Sequence, residues 1–483
     1  MSGKSTAVYS VEIGSAVTEG GSPDANLIPN PTADSVSFTG MATATGSVGA
    51  FSGSEGIVDE EQGRRTPGAN RPTAVGVVAG ATTFGANAGE FIRAMYPDSI
   101  EISHRFKGSN GLLPTSHGYG KILGSSMGLY DPASAGDSSI ALASNSTDDG
   151  VLIVDDSEIG KFKLGAPVRM YTYDATGAAN TFFHEYAFVT KIENTDGANS
   201  QITVHPKFSF TPQSGQTVQL CYAFFPVVGA SNAALNDFHA KLSVGGVGTD
   251  ATVGRLASGC RCTGFTISND NAGASLSMTF KPLVMLTDDA NANAVEVSEN
   301  PGLLLQHRYG CRVDIGRDHD GVTGAASQIR GKSGAGNAGK PLPNFDHTIE
   351  VTFETAEGTP STRGVLRGLT HEIHNATCNV SITTENDEEL QKIITRDELR
   401  TLILGFGPGG TGADNPNGGA FILKNASRAD GDANIEAGDG NRIQQNTNLM
   451  AVSDYSKFEG TPAAGAETQL ATAPFILVLP KVG

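Results

Sequence analysis

The 483-residue sequence has no tryptophan, and aromatic residues make up only 7% of it. Carbohydrate-active proteins stack sugars on broad aromatic faces, so this scarcity weighs against a sugar-processing β-protein. Cysteine is scarce too. Its five copies are odd in number and unevenly spaced, and Cys260 and Cys262 form C-x-C with no second thiol pair nearby. That arrangement suits neither a disulfide framework nor a zinc site, and folding in a reducing cytoplasm is expected. Basic charge is outweighed, with 33 Lys and Arg against 51 Asp and Glu and a net charge of −18. A protein that grips nucleic acid over its whole surface needs the opposite balance. No apolar run approaches the roughly 20 residues of a membrane helix. The opening MSGKSTAVYSVEIG lacks the apolar core of a signal peptide. A soluble product made in the cytoplasm is the expectation.

Catalytic patterns are missing as well. There is no serine elbow, no spaced His–Asp pair and no setting for a thiolate, and the carboxylate pairs Asp155–Asp156 and Asp288–Asp289 sit in polar loops. Neither an enzyme nor a cofactor or metal site is expected. GAGNAGKP at Gly334–Pro341 fits a phosphate-binding loop until its last position, where Pro341 replaces the Ser or Thr that holds magnesium. Gly405, Gly407 and Gly410 match a dinucleotide fingerprint, but they follow a helix-like segment and lead into loop, the reverse of the required context. Asp430, Asp432, Asn434 and Glu436 alternate like calcium ligands, yet Ile435 stands where a turning glycine is wanted. His371, His374 and Cys378 resemble a metal set. On a strand the two histidines face opposite ways and cannot share one ion, and His371 aligns with Ile267 on the apolar face, so it reads as a core histidine.

What the chain has in abundance is glycine, 61 copies, with 22 prolines and many Ser, Thr, Asn and Ala residues. This composition predicts a mainly β protein of short strands joined by long polar loops, and the length predicts two or three domains. The clearest signal is Cys260–Phe280. Phe265, Ile267, Leu276, Met278 and Phe280 alternate with Thr266, Ser268, Ser275, Ser277 and Thr279 on either side of a turn-rich NDNAG. That pattern predicts a hairpin with one buried face and one hydroxyl face. Gly368–Thr383 aligns with Gly264–Thr279 without gaps, keeping Gly, Thr, Asn, Ala, Ser and Thr at Gly368, Thr370, Asn375, Ala376, Ser381 and Thr383. A second hairpin is expected there, and His239–Val244 resembles His347–Thr352 upstream of it.

In chain order, residues 1–72 hold a strand-like run, Val8–Ile13, and then a Gly/Ser/Thr/Ala stretch. They read as disordered alone or as an arm ordering against a neighbouring copy. Arg64, Arg65 and Arg71 close that segment as a solvated turn or as partners for an acidic neighbour. Residues 73–145 carry a strand at Ser99–Phe106 and a short helix from Tyr119 to Met127. Residues 146–228 read as an inserted β-barrel or sandwich with five strands. Its aromatics (Tyr171, Tyr173, Phe182, Phe183, Tyr186 and Phe188) form either a binding face or, the safer reading, core filling. Residues 229–290 contain the hairpin, 291–345 are connecting loop, and 346–483 hold the second copy. An acidic-capped helix is expected from Asn386 to Thr395, with loop over 405–440 and a buried strand at Phe475–Leu479.

Taken together, GCRCTGFTIS at Gly259–Ser268, DSIEIS at Asp98–Ser103 before a Gly-rich helix, the acidic helix at Asp387 and the apolar C-terminal strand resemble the major tail tube proteins of long-tailed bacteriophages. The resemblance covers residues 73–145 and 232–483. It implies β-sandwich tube modules, each with a short helix, in tandem along the chain, with 146–228 as an outward decoration. It also implies rings that stack helically into a hollow tube for the genome: trimeric rings for a two-module chain, hexameric rings as the alternative. The implied partners are further copies of the chain, a tape-measure protein and viral DNA in the lumen without tight binding, and tail terminator and distal tail proteins. The implied location is the virion tail, after synthesis in the host cytoplasm. Lumen-facing candidates are Thr266, Ser268, Ser277, Thr279, Thr370, Glu372, Ser381 and Thr383. Rival classes are a tailspike or other carbohydrate-active β-protein, and a capsid or surface-layer protein.

Overall fold

The computed structural model describes residues 9–15, 36–38, 56–59, 63–65, 93–96, 100–105, 118–132, 139–173, 179–194, 197–208, 210–227, 235, 237–244, 253–270, 273–281, 284–288, 313–317, 346–357, 371–385, 399–406, 419–429, 434–437, 443–453, 458–460 and 466–480. Strands dominate. The chain begins with β1 (Tyr9–Ser15), β2 (Val36–Phe38), β3 (Gly56–Asp59), β4 (Gly63–Arg65), β5 (Arg93–Tyr96) and β6 (Ile100–Arg105). Helix α1 (Gly118–Gly124) leads to β7 (Met127–Tyr130), β8 (Ser139–Ala141) and β9 (Val151–Asp155). Next come a 3-10 turn at Asp156–Lys161, β10 (Pro167–Tyr173), β11 (Ala179–Glu193), β12 (Asn199–His205) and β13 (Thr217–Pro226). Then follow β14 (Phe238–Val244), β15 (Val253–Asp270), β16 (Gly273–Lys281), β17 (Val284–Asp288), β18 (Val313–Arg317) and β19 (Asp346–Glu357). The C-terminal part holds β20 (His371–Glu385), β21 (Arg400–Phe406), β22 (Gly419–Arg428), β23 (Asn434–Ala437), β24 (Ile443–Ala451), α2 (Ala466–Thr472) and β25 (Phe475–Pro480).

A front sheet runs in the order β6-β16-β15-β19-β20-β24, every neighbour antiparallel. Its strands alternate because only one face is covered. Ile100, Ile102, Phe265, Ile267, Leu276, Met278, Phe280, Ile349, Val351, Val380, Ile382 and Leu449 all point into one core. Across that core lies a back sheet in the order β7-β13-β25-β22-β21-β18. It contributes Tyr222, Phe224, Leu402, Leu404, Phe421, Leu423, Phe475 and Leu477. The other side of the back sheet is buried too, with Ala223, Phe225, Ile422, Ile476 and Val478 packing on Tyr186 and Phe188. Burial on both faces explains why these strands read as unbroken apolar runs such as FILVL and TLILGF.

Tyr186 and Phe188 belong to a small barrel, β8-β13-β10-β11-β12-β9, closed where the Ala143 N–H donates to the Ile153 carbonyl at 2.8 Å. Its interior is apolar, lined by residues such as Leu152, Val168, Val189, Ile202 and Leu220. The five strands expected within 146–228 are all present, but the expected boundary is wrong. β13 serves the barrel with residues 217–220 and the back sheet with residues 221–226. The barrel also covers the outer apolar face of that sheet. Of the aromatics expected as core or binding face, Tyr186 and Phe188 are buried in the apolar layer on the back sheet, while Tyr171, also buried, packs on His184.

Other expectations change as well. β1 pairs in register with β14 of its own chain, so this part of the N-terminal segment folds back at home. The first hairpin is present, with Asp270 opposite Gly273. The second is not: Asn375 and Ala376, aligned to the turn, lie inside the continuous strand β20 beside a bulge. The reason is chemical. Gly273 becomes Thr377 and Asn269-Asp270 become Ile373-His374, replacing turn formers with residues that favour extended backbone. The span 405–440, expected as loop, contains β22 and β23, and Leu402 and Ile403 lie on strand β21. The helix expected at 386–395 and the Gly334–Pro341 loop lie outside the described residues. Among the described residues, no helix is long and apolar enough to cross a membrane.

The joint between β15 and its neighbours is held at a bulge at Cys262–Gly264. Ser125 Oγ accepts from the Cys262 N–H at 2.9 Å, and Ser126 Oγ donates to the Cys262 carbonyl, so the end of α1 satisfies the bulged backbone. At Gly264 a Cβ would sit 2.7 Å from the Val351 carbonyl oxygen, so only glycine lets β19 approach this closely. Gly264→Ala should therefore destabilise the fold by about 1–3 kcal/mol. Gly160→Ala, where nothing lies within 4 Å, should fall within roughly 0.5 kcal/mol of wild type. Denaturant titration of both variants checks this.

Candidate functional site: a hydroxyl-lined face of the front sheet

The outward face of the front sheet follows from its alternation, and strand pairing lines its polar residues up in rows. One row reads Ser275, Ser268, Thr348, Ser381, Asn448 across β16, β15, β19, β20 and β24. The next reads Ser277, Thr266, Glu350, Asn379, Met450, and a third joins Glu101, Thr279, Gly264, Thr352 and Thr377. Adjacent strands are about 4.8 Å apart, so each row spans roughly 19 Å. On β15 and β16 the hydroxyl residues are half-buried, while Thr348, Glu350, Thr352, Asn379, Ser381 and Asn448 are exposed. Met450, 41% exposed, is the large apolar side chain on this face.

Local bonds hold the hydroxyls in place. Thr383 Oγ1 donates to Asn446 Oδ1 at 2.9 Å, and Ser275 Oγ donates to the Ser268 carbonyl at 3.4 Å. The charged residues at outward positions include Glu101, Asp346, Glu350 and Glu354, with Lys281 at the end of β16 and Arg105 opposite Ser275 at the end of β6. Such a surface hydrates readily and offers acceptors and weak donors, but few groups that hold phosphate.

The structure places Thr266, Ser268, Ser277, Thr279, Ser381 and Thr383 on this one face. They do not form two equivalent hairpins, because β19 lies between the two sets. Thr370 lies outside the described residues. Glu372 is on β20 opposite Ala356. Thr348, Glu350, Thr352 and Asn448 were not among the sequence candidates. Strict alternation in HTIEVTFE was the available signal for the first three, and β24, rich in Asn and Gln, carried none.

The apparent metal set is dispersed: His374 is exposed beside the bulge while Cys378 points into the core. Burial pushes the Cys262 thiol up to about 12 and raises Cys260 and Cys378 well above the usual range, so these thiols stay protonated. Gly405, the first glycine of the fingerprint, lies within strand β21, and the next described element, β22, is again a strand. Asn434 and Glu436 lie on β23.

The chain matches no protein-family model and no curated protein sequence. Wild-type protein should leave duplex DNA unretarded in a gel-shift assay. The triple variant Glu101→Lys/Glu350→Lys/Glu354→Lys should bind it, with affinity that falls steeply as salt rises. Retention by the wild type, or none by the variant, would contradict this account of the face.

Proposed function

We propose that this chain is a structural virion protein, a tail tube protein whose copies assemble into stacked rings with the polar front-sheet face turned to the lumen. The observation that carries the reading is the unbroken sheet. Strands from before residue 290 (β6, β16, β15) and from after residue 345 (β19, β20, β24) join edge to edge at β15–β19 into one broad polar wall. The resemblance in sequence to tail tube proteins supports the same reading. An acidic protein with a hydroxyl wall repels DNA, which then slides instead of sticking. In this proposal the lumen holds a tape-measure protein and later the genome, terminator and distal tail proteins cap the tube, and the protein resides in the virion tail.

Strand arithmetic relates the copy number of a ring to its diameter. Three six-strand walls, at about 4.8 Å spacing and about 40° tilt, would frame a lumen of roughly 35 Å backbone diameter, and six would give about twice that. β24 already pairs with β23 and with residues 426–428 of β22, so at that edge copies would meet by packing and not by continued strand pairing. Three chains per ring is the expected state because the resemblance implies it for a two-module chain, with six as the alternative. Among the described residues β6 pairs with β16 alone, leaving an edge able to take a neighbouring copy. Electron microscopy of the purified full-length protein, with native mass spectrometry of its rings, tests this. Tubes or rings of three chains are expected. Six chains per ring would overturn the copy number; closed shells or sheets, or isolated trimers with hydrolase activity, would favour the capsid or tailspike readings.

The barrel is part of the assembly unit in this proposal. Replacing residues 133–219 with a two-residue turn leaves β7 and residues 221–226 to pair as a hairpin, but strips Tyr186 and Phe188 from the outer face of the back sheet. The expected outcome is a protein that binds a hydrophobic dye and aggregates instead of forming rings.

A further inference from the structure

The front sheet ends in two rims of opposite charge. β6 forms the first, where Glu101 is exposed between the buried Ile100 and Ile102. At the second, β24 carries β23 along Ile443–Asn446 and the end of β22 along Leu449–Ala451. Arg428, the last residue of β22, stands there opposite Leu449. On a chain of net charge −18 it is the one exposed basic residue among the described side chains, the other lysines and arginines being half-buried or buried. Neither Glu101 nor Arg428 has an ion-pair partner among the described residues. Beside Arg428, Ser427 pairs with Met450, the large apolar side chain left exposed.

The register extends the complementarity. Arg105 lies on β6 opposite Ser275, in the row that ends at Asn448, and Glu101 follows four residues further along the rim. On the second rim Glu436 lies opposite Gln444, and Arg428 follows opposite Leu449, five residues further in the same direction. One rim thus runs basic to acidic and the other acidic to basic at nearly the same spacing. A single displacement along the strands sets both pairs of opposite charges abreast. Because β24 is already paired, side chains and not backbone ladders must choose the partner at this rim, and charge complementarity is what fixes register across such a contact.

We propose that the β6 rim of one copy packs against the β22–β24 rim of the next, with Glu101 paired to Arg428 of the neighbouring copy, an inference that rests on the ring reading above. Sedimentation velocity of the full-length protein tests it. Glu101→Arg and Arg428→Glu each put like charges across every seam, and each should raise the concentration for half-assembly by about tenfold or more. The double variant Glu101→Arg/Arg428→Glu should return it close to the wild-type value. Wild-type rings with undisturbed single variants, or a double variant no better than the singles, would overturn the seam and leave the tube reading standing. A wild type that stays monomeric at every concentration would overturn both. Should a reversal fail to fold, Glu101→Cys/Arg428→Cys decides. Under an added oxidant it should give disulfide-linked multimers that neither single cysteine variant gives, since the native thiols of Cys221, Cys260, Cys262 and Cys378 are buried. Rings without such linkage would refute the pairing.

Discussion

Residues 217–220 of β13 pair with β10 and β8 in the barrel, while residues 221–226 pair with β7 and β25 in the back sheet. One continuous backbone therefore carries two cores, and no rotation about a linker can separate them. The side chains repeat the coupling. Val218 and Leu220 fill the barrel, Tyr222 and Phe224 enter the core between the sheets, and Ala223 and Phe225 face the layer in between. Alternation along a single strand distributes its side chains among three apolar clusters. The back sheet can then be buried on both faces, and the front sheet is the one left with a broad polar surface.

Much of this was legible in the sequence, and the failures have physical causes. Alternation in Phe265–Phe280 identified the front-sheet hairpin because one face is wet and the other dry. The barrel strands were legible for the same reason, together with their Gly and Asn punctuation. The boundary at β13 was hidden because CYAFFP is apolar throughout, and nothing in it records that the core on one side changes identity partway along. β22 was masked by its flanks: FILK is only four residues long and stands amid Gly, Asn and Asp, so composition averaged it into loop. Leu402 and Ile403, neighbours on β21, are buried on opposite faces of the strand.

The candidate face was half legible. Hydroxyls alternating with apolar residues marked Thr266, Ser268, Ser277 and Thr279, and local pattern was enough to find them. Their true neighbours came from β19, whose pairing with β15 spans some 80 residues and leaves no local signature. The repeat at 368–383 misled because matched identities at Asn375, Ala376 and Ser381 preserve parity along a strand without preserving the turn. A bulge in β20 occupies the aligned place. It places His374 and Asn375 consecutively on the exposed side and so shifts the inward positions from Ile373 to Cys378, Val380 and Ile382. Ser381 and Thr383 thereby reach the same outward face as the first set, by a different route from the one the alignment implied.

Why the wall is built from hydroxyls and amides, and not from charge, follows from what neighbouring rows do to one another. Side chains directly opposite on adjacent strands lie about 5 Å apart, and like charges at that distance destabilise a sheet. A wall made only of carboxylates would repel DNA more strongly but would also repel itself along every row. Ser, Thr and Asn tolerate themselves as cross-strand neighbours, as the Thr383–Asn446 bond illustrates. The carboxylates Glu101 and Glu350 instead stand singly, each facing a threonine, Thr279 and Thr266. In the proposed tube, sparse carboxylates on a hydroxyl ground would let a polyanion slide past, at little cost to the strand pairing that builds the face.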